Sequence, residues 1–507
     1  MKRRLVPILV VAAMALWAAA HWPAPRPARV VTDVAALPRT FPELDGVTLP
    51  PNIAPPGVRV KEPGTAFSAI ARGDRGPAVE VSSRRAGIVF PERPWHRLLA
   101  ANTGGAITIT VTVRDGTGTW TRFAALHLDV AAEPIDRYLV YRNLTPLYNE
   151  EADLGVYQRD LTGFRSRCVL HGRQFSIGCV NCHTFCQGSG GRFTLAVRSK
   201  QWGSGTLLVA DGQVKRLKQA VGYAAWHPNG QLVMFTATLP RQFFHTAGEQ
   251  TREPLDIRAQ LVCYDVRQQR FTAVPALSSR QFLNSYPCWS PDGRWLYFSR
   301  ARRLWDDATP FPPPRWPQVR YSLMRIAYDP DSGAWGQPEM VRSGEAADRS
   351  FIYPRLSPDG RWLLYTSLAY GNFAVIHADS LLALIDLQTD RDVPVDINSD
   401  QSQSWHSWSR NGRWIVFCSK RADGLFAKLY LSYFDESGHF HAPLLLPQRD
   451  PGFYDTFWYS YNVPELIDTP IRVDAGRLGR AIRGPNQIDA PLPPEVAPPS
   501  AAAWPAR

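Results

Sequence analysis

Cys179-Val180-Asn181-Cys182-His183 is the stretch of this chain whose residue types and spacing specify chemistry. Two thiols separated by two residues reach the two vinyl groups of one porphyrin, and the adjoining imidazole meets the iron from one face. Cys-x-x-Cys-His therefore reads as an attachment sequence for a c-type haem. The expectation is one covalent haem c, with Cys179 and Cys182 as thioethers and His183 as proximal iron ligand. Cys168 and Cys186 bracket the motif. They offer a disulfide that clamps the haem loop or, with the central pair, a rival four-thiolate zinc or iron–sulfur site.

The sixth iron position separates electron transfer from catalysis, because two protein ligands close the iron and an open position admits small molecules. His245 follows a strand-like run and sits in an insertion, which makes it the first candidate distal ligand, against a solvent-facing loop imidazole. His406 stands just before a repeat strand and competes with a hydrogen-bonded packing role. His227 takes the serine position of a repeated turn, where a structural role is favoured. Met234 and Met324 lie in apolar strand-like runs that core packing explains. No nucleophile elbow, phosphate loop or H-E-x-x-H motif is present, so a hydrolase has no positive support.

The chain opens with Met1-Lys2-Arg3-Arg4 and an uncharged run from Leu5 to Ala20 that ends in three alanines. This is the pattern of a signal peptide, with an uncleaved inner-membrane anchor as the alternative, and residues 1–22 are assigned to it. A periplasmic or cell-envelope location follows. Similarity to c-type cytochromes implies haem attachment on that same side of the membrane. The formal charge of +12 comes from 57 basic and 45 acidic residues, and only seven of the basic ones are lysine. Arginine is spread without a basic block, so nucleic acid is not an expected partner. A redox partner or an envelope protein is.

With 44 Pro and 36 Gly, the remainder reads as strands and turns rather than long helices. Residues 23–57 read as a Pro-rich linker. Residues 58–135 carry alternations such as Ala106-Ile107-Thr108-Ile109-Thr110-Val111-Thr112-Val113, expected as a small β-sandwich-like domain. Residues 136–470 form the main body, with the haem loop at 176–191, and residues 471–507 read as a disordered tail.

The main body contains a repeat. Ala225-Trp226-His227-Pro228-Asn229-Gly230 recurs as Cys288-Trp289-Ser290-Pro291-Asp292-Gly293, again across Arg355 to Ser367, and more loosely at Ser407 to Cys418. Each copy is an apolar strand, a tight turn whose glycine accepts positive φ, and an aromatic or β-branched strand. One such hairpin cannot bury both faces, and radial stacking solves that, so the class expected is all-β with a six-bladed β-propeller. These turns resemble the TolB-type propeller repeat. Leu49-Pro50-Pro51-Asn52-Ile53-Ala54-Pro55, the Cys-Val-Asn-Cys-His segment and Asn462-Val463-Pro464-Glu465-Leu466 together resemble a group of exported bacterial TolB-like proteins. That resemblance implies architecture only. The main functional expectation is an exported monohaem electron-transfer or redox protein. The alternative is a TolB-like protein- or glycan-binding module in which haem or zinc is structural or sensory, and a weaker third reading is a haem enzyme with substrate in the central channel.

Overall fold

A computed structural model describes residues 24–27, 32–145, 153–219, 221–246 and 252–497. The signal or anchor assigned to residues 1–22 lies outside the described residues. The chain divides into two compact units.

The first unit takes in described residues up to Val47, then Pro55–Val130 and Pro447–Thr456. The alternation around residue 107 forms the strand Ala106–Arg114, which buries Ile107, Ile109, Val111 and Val113 and pairs antiparallel with Ala66–Gly73. A second sheet joins Thr40–Phe41, Gly57–Val60 and Gly87–Val89. Between them in sequence, the helix Glu92–Ala101 buries Trp95, Leu98 and Leu99, with Trp95 stacked on Phe90 at 5.3 Å.

The second unit takes in Thr48–Ala54, Ala131–Leu446 and the described residues from Phe457 on. It contains six four-stranded antiparallel sheets. The first strands of successive sheets touch in a closed ring, so the sheets are the blades of a six-bladed propeller. Those inner strands are Cys179–Phe185, Ala224–Trp226, Phe282–Trp289, Ser350–Leu356, Gln403–Trp408 and, completing the blade of Tyr138–Leu144, the C-terminal Ser460–Ile467. The first and last strands of the propeller therefore share blade 1, which closes the ring without a free edge.

The repeated turn owes its sequence to local hydrogen bonds. Ser290 Oγ donates to Asp292 Oδ1 at 2.5 Å and accepts from the Trp295 amide at 2.9 Å, while Asp292 Oδ1 accepts from the Arg294 amide at 3.0 Å. Ser409, Asn411 and Trp414 repeat the pattern. In blade 3, His227 Nδ1 takes over by accepting from the Asn229 amide at 3.1 Å, leaving Nε2–H to donate to the Gly293 carbonyl at 3.1 Å. Gly293 itself has φ of +72°, and a Cβ there would lie 2.3 Å from His227 Nε2. Gly293→Ala is thus expected to cost about 2 kcal/mol or more, from left-handed strain plus the clash. Gly333→Ala, at φ of +73° with nothing within 4 Å, should cost about half that. Urea unfolding of the two variants checks the difference.

Three sequence expectations change. Residues 23–57 are more than a linker: Leu44 is buried in the first unit, and Leu49 and Ile53 in the second. Asn52 there donates to the Ile135 carbonyl at 2.8 Å and accepts from its amide at 3.1 Å. Prolines stiffen this stretch, but the apolar residues between them anchor it. The tail from 471 is ordered as far as 497: Asp474 caps the helix Ala475–Arg483, which buries Leu478 and Ile482 against Val169, Phe175 and Val209. Beyond it, the Ile488 amide donates to the Arg216 carbonyl at 2.7 Å. Residues 498–507 lie outside the described residues. The third change concerns the haem loop.

Candidate functional site

Cys179–Phe185 is not a loop. It is the inner strand of blade 2, paired antiparallel with Phe193–Arg198 and irregular in register between Asn181 and His183. A register shift at the matching place occurs in the other long inner strands, at Tyr286, Tyr353, Trp405 and Val463, whose φ values are 56°, 56°, 39° and 46°; Cys182 shares the shift but not the left-handed backbone. A bulge of this kind turns one side chain per strand out of the alternation. Aligned on it, Asn181-Cys182-His183 matches Ser285-Tyr286-Pro287, Ile352-Tyr353-Pro354, Ser404-Trp405-His406 and Asn462-Val463-Pro464. Cys182-His183 thus occupies the Tyr-Pro position of the repeat. The copies of the repeat recognised by their turns begin two residues after this position, at Ala225, Cys288, Arg355 and Ser407, which leaves the correspondence unmarked in the sequence.

The bulged residues plug the channel. Trp405 stacks on Tyr353 with ring centroids 3.9 Å apart, and Tyr223 lies 4.4 Å from Tyr286 and 5.6 Å from Trp405. Tyr286 donates to the Asn372 carbonyl at 2.6 Å, and Asn372 Nδ2 donates to Asp256 Oδ2 at 2.7 Å. Thr238 Oγ1 completes the carboxyl's partners at 2.6 Å. Burial nonetheless pushes the Asp256 carboxyl up to about 6.

Around the cysteines the local charge is positive. Arg142 Nη2 lies 3.5 Å and Arg198 Nη2 3.3 Å from Cys179 Sγ, both as donors to a buried sulfur. Burial pushes the Cys182 thiol up to about 11, and the same two guanidiniums only partly oppose it. His183 is 3% exposed and packed edge-on to Phe185, with the backbone of Val140 and Val463 as the polar neighbours of its ring. Burial, with Arg142 adding, pushes it down to about 3, so it is neutral.

The donor chemistry of Cys179, Cys182 and His183 is that of an attachment site. The packing does not match: Arg142, itself buried, presses its guanidinium on Cys179 and acts electrostatically on Cys182 and His183 alike. A cation held among the donors opposes a metal ion there. As folded, the strand does not fit a haem. The thiol-only rival fares no better, since no group of three or more His, Cys, Asp or Glu gathers to hold a metal among the described residues. All seven cysteines are free. The Cys168–Cys186 bridge is not formed: Cys168 is on the outer strand of blade 1, whereas Cys186 Sγ faces the His227 carbonyl at 3.9 Å.

The three distal candidates are not brought to His183. His227 is committed to its turn, as above. His406 is buried and its Nε2 donates to the Leu364 carbonyl of blade 5 at 3.1 Å, which fixes it as a packing residue between blades. His245 lies in the long blade 3 hairpin, 5.1 Å from the Phe243 ring and 6.0 Å from Trp316. Met234 and Met324 pack in a core cluster with Phe298 and Trp289.

Insertions crowd one face. The connections from second to third strand are long in blades 3, 4 and 5, spanning 245–251, 303–321 and 369–380. They explain repeat spacings well above a minimal blade, and in these antiparallel sheets they open on the face where the inner strands begin. Phe243, Phe311, Trp316 and Tyr370 meet there with centroids 5.2 to 6.0 Å apart, Arg241 covers Phe311 at 4.7 Å, and Phe244 is 53% exposed. Beneath them, buried His377 has Nε2 3.6 Å from Glu253 Oε1 and Nδ1 3.8 Å from Asp379 Oδ1. Burial works against its charge, but the two carboxylates prevail and raise it above the ordinary imidazole value. Neither His377 nor Glu253 carried a sequence signal, because each stands in a segment without motif.

No family model matches the chain, and no curated protein matches it. Among solved structures it is similar to TolB from Acinetobacter baumannii, at 14% identity over 71% of this chain and 78% of that one, with a TM-score of 0.39. It is also similar to prolyl oligopeptidase B from Galerina marginata, at 12% identity over 61% of this chain and a TM-score of 0.35, spanning 44% of that protein's length. The β-propeller domain of the Trilobed protease from Pyrococcus furiosus is matched at 8% identity over 65% of this chain and 79% of the domain, with a TM-score of 0.31. The propeller itself rests on the six sheets and their closed ring.

Proposed function

We propose that this chain is a TolB-like binding module of the cell envelope that presents its insertion-bearing face to a protein or glycan partner. The observation that carries the reading is the aromatic and arginine surface built by three neighbouring blades above a plugged channel. Aromatic and Arg side chains are the residues that dominate interface energetics, and a rigid propeller rim holds them at little entropic cost. The envelope location rests on the N-terminal segment; among the described residues no helix is long and apolar enough to cross a membrane. A photo-crosslinking residue placed at Phe244 in the producing cell should yield discrete adducts, and one at Asp292, exposed in a turn on the opposite face, should yield none. Equal labelling at both, or no adduct at Phe244, would sink the proposal.

The covalent haem remains a second reading, favoured by the Cys-x-x-Cys-His spacing of Cys179, Cys182 and His183. The pyridine haemochrome spectrum of the exported protein separates the two. The binding-module reading expects no c-type band, and one haem per chain would reinstate attachment at Cys179 and Cys182.

A further inference from the structure

Between blades 3 and 4 lies a pocket of about 220 Å³ whose wall holds Arg258, Arg280 and Arg303. Arg258 Nε donates to Asp307 Oδ1 at 3.1 Å, and Arg303 pairs with the same carboxylate. Asp307 is held down at about 2 by these two arginines and is therefore charged. One carboxylate thus serves two guanidiniums, and it is the outer, more exposed member: the Arg303 side chain is only 7% exposed, that of Asp307 47%. Arg258 Nη1 and Arg303 Nε have no hydrogen-bond partner among the described residues. A surplus positive charge is left in a wall shielded from water, where Coulomb attraction is strongest. Arg280 adds a third cation at the exposed rim.

The remaining wall is largely apolar. Leu239 and Phe282 come from the blades, and Leu492 and Val496 from the chain's last described segment. That segment also brings Glu495 into the pocket, where it makes no ion pair among the described residues. A negative side chain drawn to a basic pocket without pairing weakens the field there and competes with any anion entering.

We propose that this pocket binds a small organic carboxylate, with its anionic head against Arg258 and Arg303 and its apolar body against Leu239, Phe282 and Val496. Two guanidiniums over the single Asp307 carboxylate leave a net positive charge that attracts an anion, and the apolar walls favour an organic anion over a bare inorganic one. The shared chemistry fits a short fatty acid or the C-terminal residue of a peptide. The proposal does not depend on the partner-binding face proposed above, and its test uses small molecules only.

Calorimetric titration of the full exported protein with hexanoate, hexan-1-ol, inorganic phosphate and N-acetyl-leucine is the experiment. Hexanoate or N-acetyl-leucine should bind at least tenfold more tightly than hexan-1-ol or phosphate, and whichever of the two is tighter identifies the fatty-acid or peptide source. Arg303→Met should weaken carboxylate binding tenfold or more. Should that buried substitution prevent folding, the rim variant Arg280→Gln should weaken binding several-fold, and Glu495→Gln should tighten it several-fold. Hexan-1-ol or phosphate binding as tightly as the carboxylates overturns the proposal. So does unchanged affinity in both Arg280→Gln and Glu495→Gln.

Discussion

Replacing Trp405 by alanine is expected to lower the unfolding free energy by about 3 to 5 kcal/mol, the range for removing a fully packed Trp. Its indole is 4% exposed and touches three tyrosines contributed by three other blades, with the 3.9 Å stack on Tyr353 as the closest. The void would open on the channel axis, where blades related by the ring cannot collapse inward without breaking their own inner-strand ladders. Left-handed strain at position 405 stays the same in alanine, so nothing offsets the loss. Urea unfolding monitored by circular dichroism measures it. A change below about 1 kcal/mol would show that the four aromatics line a water-filled channel instead of plugging it.

Glu465→Gln is expected to change how stability depends on pH. Glu465 is on the closing strand, and burial pushes its carboxyl up to about 7, with Arg355 and the Phe185 amide, 3.1 Å from Oε2, pulling the other way. A folded value above the unfolded one means that the neutral acid stabilises the fold at low pH. That contribution is complete below the unfolded value of about 4.5 and is lost as pH rises through 7. Glutamine keeps an accepting oxygen and cannot ionise. The variant should therefore gain on the parent protein by about 3 kcal/mol between pH 4.5 and pH 8. His183 and His406, both pushed down to about 3, act with the opposite sign: their contribution is present above about 6.5 and fades as pH falls. They are common to both proteins and cancel in the comparison. Parallel curves for variant and parent would show that Glu465 ionises freely in the folded state.

The propeller was legible because its turns are local. Ser290, Asp292 and Gly293 satisfy one another within six residues, so the chemistry of the turn is written in adjacent letters and repeats wherever a blade does. The alternation at Ala106–Arg114 was legible for the same reason, since its period is that of the strand. The helix Ala475–Arg483 was not, because its Pro-rich surroundings read as tail and its buried face only has meaning against Phe175 and Val209 of the early blades. His377 with Glu253, and Arg258 with Arg303, were equally silent: their partners lie 45 to 124 residues apart in sequence and converge through blade insertions.

The sequence by itself determined that this is a chain of repeated β-hairpins carrying Cys-Val-Asn-Cys-His before the recognised repeats. Only the tertiary structure decided that the pentapeptide is itself an inner strand, with Cys182 in the slot that other blades fill with Tyr286, Tyr353 and Trp405. The reason is physical. Spacing along a chain states which donors are close in sequence, but what stands among them is set by packing, and here it is the guanidinium of Arg142, brought from a different blade.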